Sequence, residues 1–161
     1  RVRCLDDPQL QDGPRNVWPA AHVASLVRSH LRERRISRVL TFDERGVSGH
    51  ANHVAVHHGV RLLASGVSSA WPISVYELES TAVLRKHMSL WDVLISLVTT
   101  VMCALWCAAA PASGPQMSCY VSAEPWRCHA AMREHATQYV WYRKLYLLTS
   151  RFVWVNTLRR V

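Results

Sequence analysis

The sequence predicts a layered α/β domain with parallel strands, and three observations carry that prediction. Helical and strand periodicities follow one another as helix, strand, loop, helix, strand. A histidine-rich loop follows the carboxyl end of the first strand, the position where ligands bind in folds of this kind. The 161 residues, half of them apolar, suffice for one domain with a core but not comfortably for two.

Residues 1–16 are polar and rich in Asp, Pro and Gly, so they read as a connector loop. From Val17 to Arg35, apolar Val23, Leu26, Val27 and Leu31 recur at helical spacing with arginines opposite, which predicts an amphipathic helix. Arg38–Phe42 reads as a short strand and Asp43–Gly49 as a polar loop. Asn52 is placed to cap a helix running to about Ala64, with Gly66 stopping it. Ile73–Leu78 reads as a second strand whose alternation is untidy, because Glu77 falls on the side of Ile73 and Val75.

Two later regions differ from this pattern. Residues 93–110 are eighteen without a charge, at the threshold for spanning a bilayer, and a buried core helix is the alternative. Pro111–Gly114 then breaks the run. The tail, 124–161, interleaves Trp126, Tyr139, Trp141, Tyr142, Tyr146, Phe152 and Trp154 with arginines and Lys144. That composition suits an interfacial amphipathic helix, or a terminal helix with its aromatics packed on a core.

The formal charge of +8 with seven Trp favours a membrane surface as partner. Nucleic acid is disfavoured, since no KH, RRM or zinc-finger signature accompanies the charge. Five cysteines, odd in number and without C-x-x-C spacing, read as free thiols and exclude a zinc ribbon. The chain begins with Arg1 and shows no secretory leader pattern, so either the start was removed or the sequence belongs to a longer protein.

The chemistry concentrates in Thr41–His58, TFDERGVSGHANHVAVHH, which holds four of the nine histidines. If a helix begins near Asn52, His50, His53 and His57 project along roughly one face, and two imidazoles on adjacent turns can share a metal ion. His57 and His58 point about a hundred degrees apart, so His58 reads as surface or packing. Gly46 and Gly49 allow close backbone approach. Asp43, at the strand end, is placed to hold an imidazole N–H from behind the metal. H-x-x-H alone is a weak motif, and a catalytic zinc wants three protein ligands and an open position.

TFDERGVSGHANH resembles the signature T-F-D-x-x-G-V-S-G-H-x-N-H of the N-acetylglucosaminyl-phosphatidylinositol de-N-acetylases, within the wider LmbE-like zinc deacetylases. Ser80–Lys86 is similar to the family's S-x-x-V-L-R-K segment. A third block runs from His135 through Gln138, Trp141, Tyr142 and Arg143 to Asn156-Thr157-Leu158 and resembles the family's carboxyl end. The resemblance implies a Rossmann-like three-layer α/β sandwich, of which residues 17–161 form the C-terminal portion. It implies Zn2+ as cofactor, His53 as a metal ligand, and His50 as the group that polarises the amide carbonyl or stabilises the oxyanion. Asp43 would support the site. Arg85 and Lys86 would meet the inositol phosphate, and His135 and Gln138 would border the site. The implied reaction is hydrolysis of the N-acetyl group of the glycolipid N-acetylglucosaminyl-phosphatidylinositol, in GPI-anchor biosynthesis, at the cytoplasmic face of the endoplasmic reticulum membrane.

The family's A-H-P-D-D-E motif is absent from these 161 residues. The resemblance assigns to that motif the other two zinc ligands and the general base. The expectation is therefore a chain with one of three ligands, inactive on its own. The competing expectation is a non-catalytic, degenerate paralogue that acts as a membrane-associated interaction protein.

Overall fold

The structure, a computed structural model, describes residues 4–13, 16–66, 72–89, 91–109 and 117–161. The chain divides into two compact units, Arg1–Ser80 with Arg160–Val161, and Thr81–Arg159.

In the first unit, helix α1 spans Ala20–Arg34. It starts later than the periodicity suggests because Pro19, in extended conformation, occupies the position before it. It ends at Arg35, whose left-handed φ of 53° turns the chain while its N–H bonds the last carbonyls. Strand β1, Arg38–Phe42, pairs in parallel with β2, Ser74–Leu78, in the register Arg38↔Ser74 to Phe42↔Leu78. Between them lie a short turn, α2 (Gly46–Gly49), and helix α3 (Ala51–Ser65), which stops at Gly66.

Ala24, Leu31 and Leu63 form the buried centre, with Val27, Ile36, Val39 and Ile73 packed on it. The two long helices approach closely at Gly59, where a Cβ would sit 2.5 Å from Val23 Cγ1. The untidy alternation of β2 has a physical reason: Val75 and Glu77 are both buried, and the carboxylate of Glu77 lies 3.2 Å from His57 Nδ1. Residues 4–13 fold back on themselves, with Gln11 donating to Asp6 Oδ1 and to the Asp7 carbonyl.

In the second unit, α4 (Val83–Lys86) leads into α5 (Trp91–Ala109), followed by β3 (Met117–Val121), α6 (Trp126–Arg133), α7 (Trp141–Thr149) and β4 (Val155–Arg160). Arg160, the last residue of β4, groups with the first unit. Strands β3 and β4 are antiparallel, with Cys119 opposite Thr157. Parallel and antiparallel pairs together make this a mixed α/β chain.

Two expectations change here. The tail is not one interfacial helix: it breaks at 134–140 and again after Thr149, and it ends as a strand. In β4, Val155 and Thr157 are buried on either side of half-buried Asn156, so β-branched residues at period two prevail over helical propensity. The apolar run does form a helix, but not a core one. Among the described residues, no helix is long and apolar enough to cross a membrane. Among the described side chains of α5, Asp92 and Ser96 are buried, whereas Leu94, Val98, Val101, Met102 and Leu105 are exposed. The break expected at Pro111–Gly114 lies outside the described residues.

Candidate active site

The site is built at the carboxyl end of β1, where the backbone leaves the strand and turns into α3. Asp43, buried, closes this turn. Its Oδ2 accepts the Ser80 N–H at 2.6 Å, and its Oδ1 accepts the Ser80 hydroxyl at 2.6 Å and the Arg45 N–H at 3.1 Å. The Ser80 hydroxyl oxygen in turn accepts the Val47 N–H at 2.8 Å. One carboxylate thus ties the loop after β1 to the loop after β2, which holds the turn in register with the strands. Val47, at φ 66°, is held by that turn in a conformation that β-branched residues rarely adopt.

Gly46 has φ 55°, and a Cβ there would lie 2.9 Å from His53 Cβ. The position therefore requires glycine for space as well as for conformation. Its carbonyl lies 3.1 Å from His53 Nδ1. A carbonyl only accepts, so the proton of neutral His53 sits on Nδ1 and the Nε2 lone pair is left available. The His53 ring is also stacked on Phe42, with centroids 4.0 Å apart and planes 10° from parallel.

His50 is arranged the other way. It caps α3, its Nδ1 accepting the Asn52 N–H at 3.3 Å. Nδ1 is then the acceptor, so the ring proton sits on Nε2. The two rings lie 4.8 Å apart between centroids, His50 exposed and His53 half-buried. The Asn52 side chain donates to Asp12 Oδ1 at 2.8 Å, which brings the N-terminal loop against the start of α3.

The structure therefore brings Asp43, His50 and His53 together on one unit. It differs from the sequence reading of Asp43: the carboxylate holds the loop, and a backbone carbonyl orients the imidazole. His57 does not join the pair. It is buried, with Nδ1 3.1 Å from the Phe42 carbonyl and close to Glu77, so it fastens α3 to both strands. Glu77 on the inward side of β2 was the one sequence signal for this pair. His58 is exposed, in edge contact with His57.

The other named residues lie on the second unit. Arg85 donates through Nε to Asp92 Oδ1 at 2.6 Å and through Nη2 to Ser96 Oγ at 3.1 Å. Asp92 Oδ2 accepts from Nε of Arg151, and both residues are fully buried. Arg151 Nη2 reaches Ser96 at 2.9 Å and Thr157 at 3.4 Å. Sequence reasoning missed this cluster; the lone carboxylate opening an apolar run was its signal. Lys86 Nζ lies 5.5 Å over the ring of Tyr146. His135 and Gln138 are exposed on the turn between α6 and α7, where the Gln138 N–H donates to the His135 carbonyl at 2.8 Å.

A parallel strand pair with a histidine pair at its carboxyl edge defines an α/β chain with a polar, histidine-bearing loop. The chain is 31% identical over 157 residues to the N-acetylglucosaminyl-phosphatidylinositol de-N-acetylase of Bos taurus, covering 98% of this chain and 57% of that protein. It is 30% identical to the Schizosaccharomyces pombe protein named "Probable N-acetylglucosaminyl-phosphatidylinositol de-N-acetylase", covering 99% of this chain and 60% of that relative. The resemblance read from the motifs thus extends along nearly the whole chain, which is homologous to proteins of that name. The chain spans less than two thirds of the length of these curated relatives. No protein-family model matches it, and no solved structure does.

Proposed function

We propose that this chain carries part of the active site of a zinc-dependent N-acetylglucosaminyl-phosphatidylinositol de-N-acetylase, an amide hydrolase of GPI-anchor biosynthesis acting at the cytoplasmic face of the endoplasmic reticulum membrane. The observation that carries the reading is the opposite commitment of the two Nδ1 atoms, that of His53 to the Gly46 carbonyl and that of His50 to the Asn52 N–H. His53, its Nδ1 committed to the Gly46 carbonyl, offers Nε2 as a metal ligand. His50, its Nδ1 occupied by the Asn52 N–H, offers Nε2–H as a donor to a substrate oxygen.

Among the described residues, no group of three His, Cys, Asp or Glu could hold a metal ion. In this reading His53 is one ligand of a set, through Nε2. The remaining ligands and the general base are assigned to residues outside this chain. Zinc, when bound, supplies Lewis-acid polarisation and activation of water. The chain's own contribution is to orient His53, and to place the His50 donor where negative charge builds on the amide oxygen. Asp43 keeps both in position through the Ser80 clamp. Arg85, Lys86, His135 and Gln138 on the second unit are carried as candidate contacts for the inositol phosphate and the sugar.

The test uses the enzyme with its full ligand set. His53→Ala should abolish zinc retention, whereas His50→Ala should keep the metal and lose turnover. Unchanged zinc content in His53→Ala would remove it from the ligand set. The 161-residue chain alone should show no turnover on a substrate analogue, and measurable turnover would refute the divided site.

A further inference from the structure

Helix α5 is built inside out. Among its described side chains, Asp92 and Ser96 are buried and held by Arg85 and Arg151, and most of the exposed ones are apolar. Trp91, Leu94, Ile95, Val98, Val101, Met102 and Leu105 recur at steps of three and four, so they form one continuous apolar stripe along the helix. Val98 is 62% exposed and Val101 56%. Val83 and Leu84 of the preceding α4 are exposed as well. The helix cannot roll to hide this stripe, because rolling would pull the buried carboxylate off its two guanidinium partners. A stripe of this extent, fixed outward, needs an apolar partner.

We infer that α5 lies flat on an anionic lipid bilayer, with its aliphatic stripe in the acyl boundary. Charge complementarity selects this occupant. Residues 81–159 carry eight Lys and Arg against three Asp and Glu; with Arg85 and Arg151 committed to buried Asp92, six cations remain against two anions. Arg133 and Lys144 are exposed, as are Trp126, Trp141 and Tyr142, the residue types that favour the headgroup layer. The polar face that an interfacial helix ordinarily turns to water is here turned to the protein instead. The inference gives the membrane setting of the proposed function a particular surface. It rests on that reading only for the setting: lipid binding needs neither metal nor turnover, so the two fail separately.

The test is sedimentation of the 161-residue chain with vesicles of phosphatidylcholine alone or mixed with phosphatidylserine. The chain should bind the mixed vesicles, and Val98→Asp/Val101→Asp should lower the partition at least about tenfold. Both side chains face outward, so the thermal melt should be unchanged. Failure of the parent chain to bind mixed vesicles would overturn the inference. Binding that the α5 substitutions leave unchanged and high salt abolishes would assign the contact to the basic surface, and overturn it too. Self-association without lipid, lost in the double variant, would show that a second copy covers the stripe.

Discussion

Replacing Asp92 by asparagine removes the one negative charge from a buried cluster that holds two guanidinium groups. Arg151 is fully buried, and its Nε, facing Asp92 Oδ2, loses its anionic partner. Its Nη2 keeps Ser96 and Thr157, while Nη1 has no hydrogen-bond partner among the described residues. The cluster would hold a buried cation without an anion, a condition that costs about 3–5 kcal/mol. Arg151→Met removes a cation instead and leaves Asp92 with Arg85 at 2.6 Å and the Ser96 hydroxyl at 2.9 Å, so its cost should be smaller, about 1–3 kcal/mol. The double variant should be less destabilised than the asparagine variant alone, because the stranded charge goes with the arginine. Urea unfolding of the chain and its three variants, with unchanged slopes, measures all three quantities. A cost below about 1 kcal/mol for Asp92→Asn, or costs that simply add, would refute the coupling.

Two further outcomes concern the first unit. Gly46→Ala puts a Cβ 2.9 Å from His53 Cβ at a φ of 55°, and should cost about 1–3 kcal/mol. It should also shift the His53 imidazole resonances. Gly49→Ala, whose Cβ would meet nothing within 4 Å, should leave those resonances in place, and equal shifts in the two variants would refute the contact argument. At the N-terminal loop, the His22 imidazole 2.8 Å away and the Gln9 N–H hold the Asp7 carboxyl below its ordinary 3.8. A lowered folded value means that the contact stabilises the loop above the unfolded value, and that this is lost as pH falls through the folded one. An NMR titration should show His22→Gln raising the Asp7 midpoint toward the ordinary value; an unmoved midpoint would exclude the pair as its cause.

The elements flanking the histidine loop were legible because each has a single clean signal. Arg38–Phe42 is a strand bounded by polar residues, and α3 ends at Gly66 as its sequence indicates. The second unit was harder to read because aromatic residues dominate it, and they suit helix, strand and interface alike. The alternation of Val155 and Thr157 was visible but masked by Trp154 and the arginines around it. Burial of Asp92 had only a weak signal, because the buried one of its two arginine partners, Arg151, lies 59 residues away. A carboxylate at the head of an apolar run resembles a helix start as much as a buried anion.

Where the sequence reading and the structure differ over Asp43, the difference bears on chemistry. A carboxylate bonded directly to a ligating imidazole would raise its basicity and share its charge. Here a neutral carbonyl, that of Gly46, takes that place, and the carboxylate stands one step further back, holding the loop that positions the carbonyl. His53 is thereby oriented by a backbone group, with Nε2 left outside that hydrogen bond. The same arrangement occupies both oxygens of Asp43 with Ser80 and Arg45, so Asp43 acts on the geometry of the loop that carries the histidine pair.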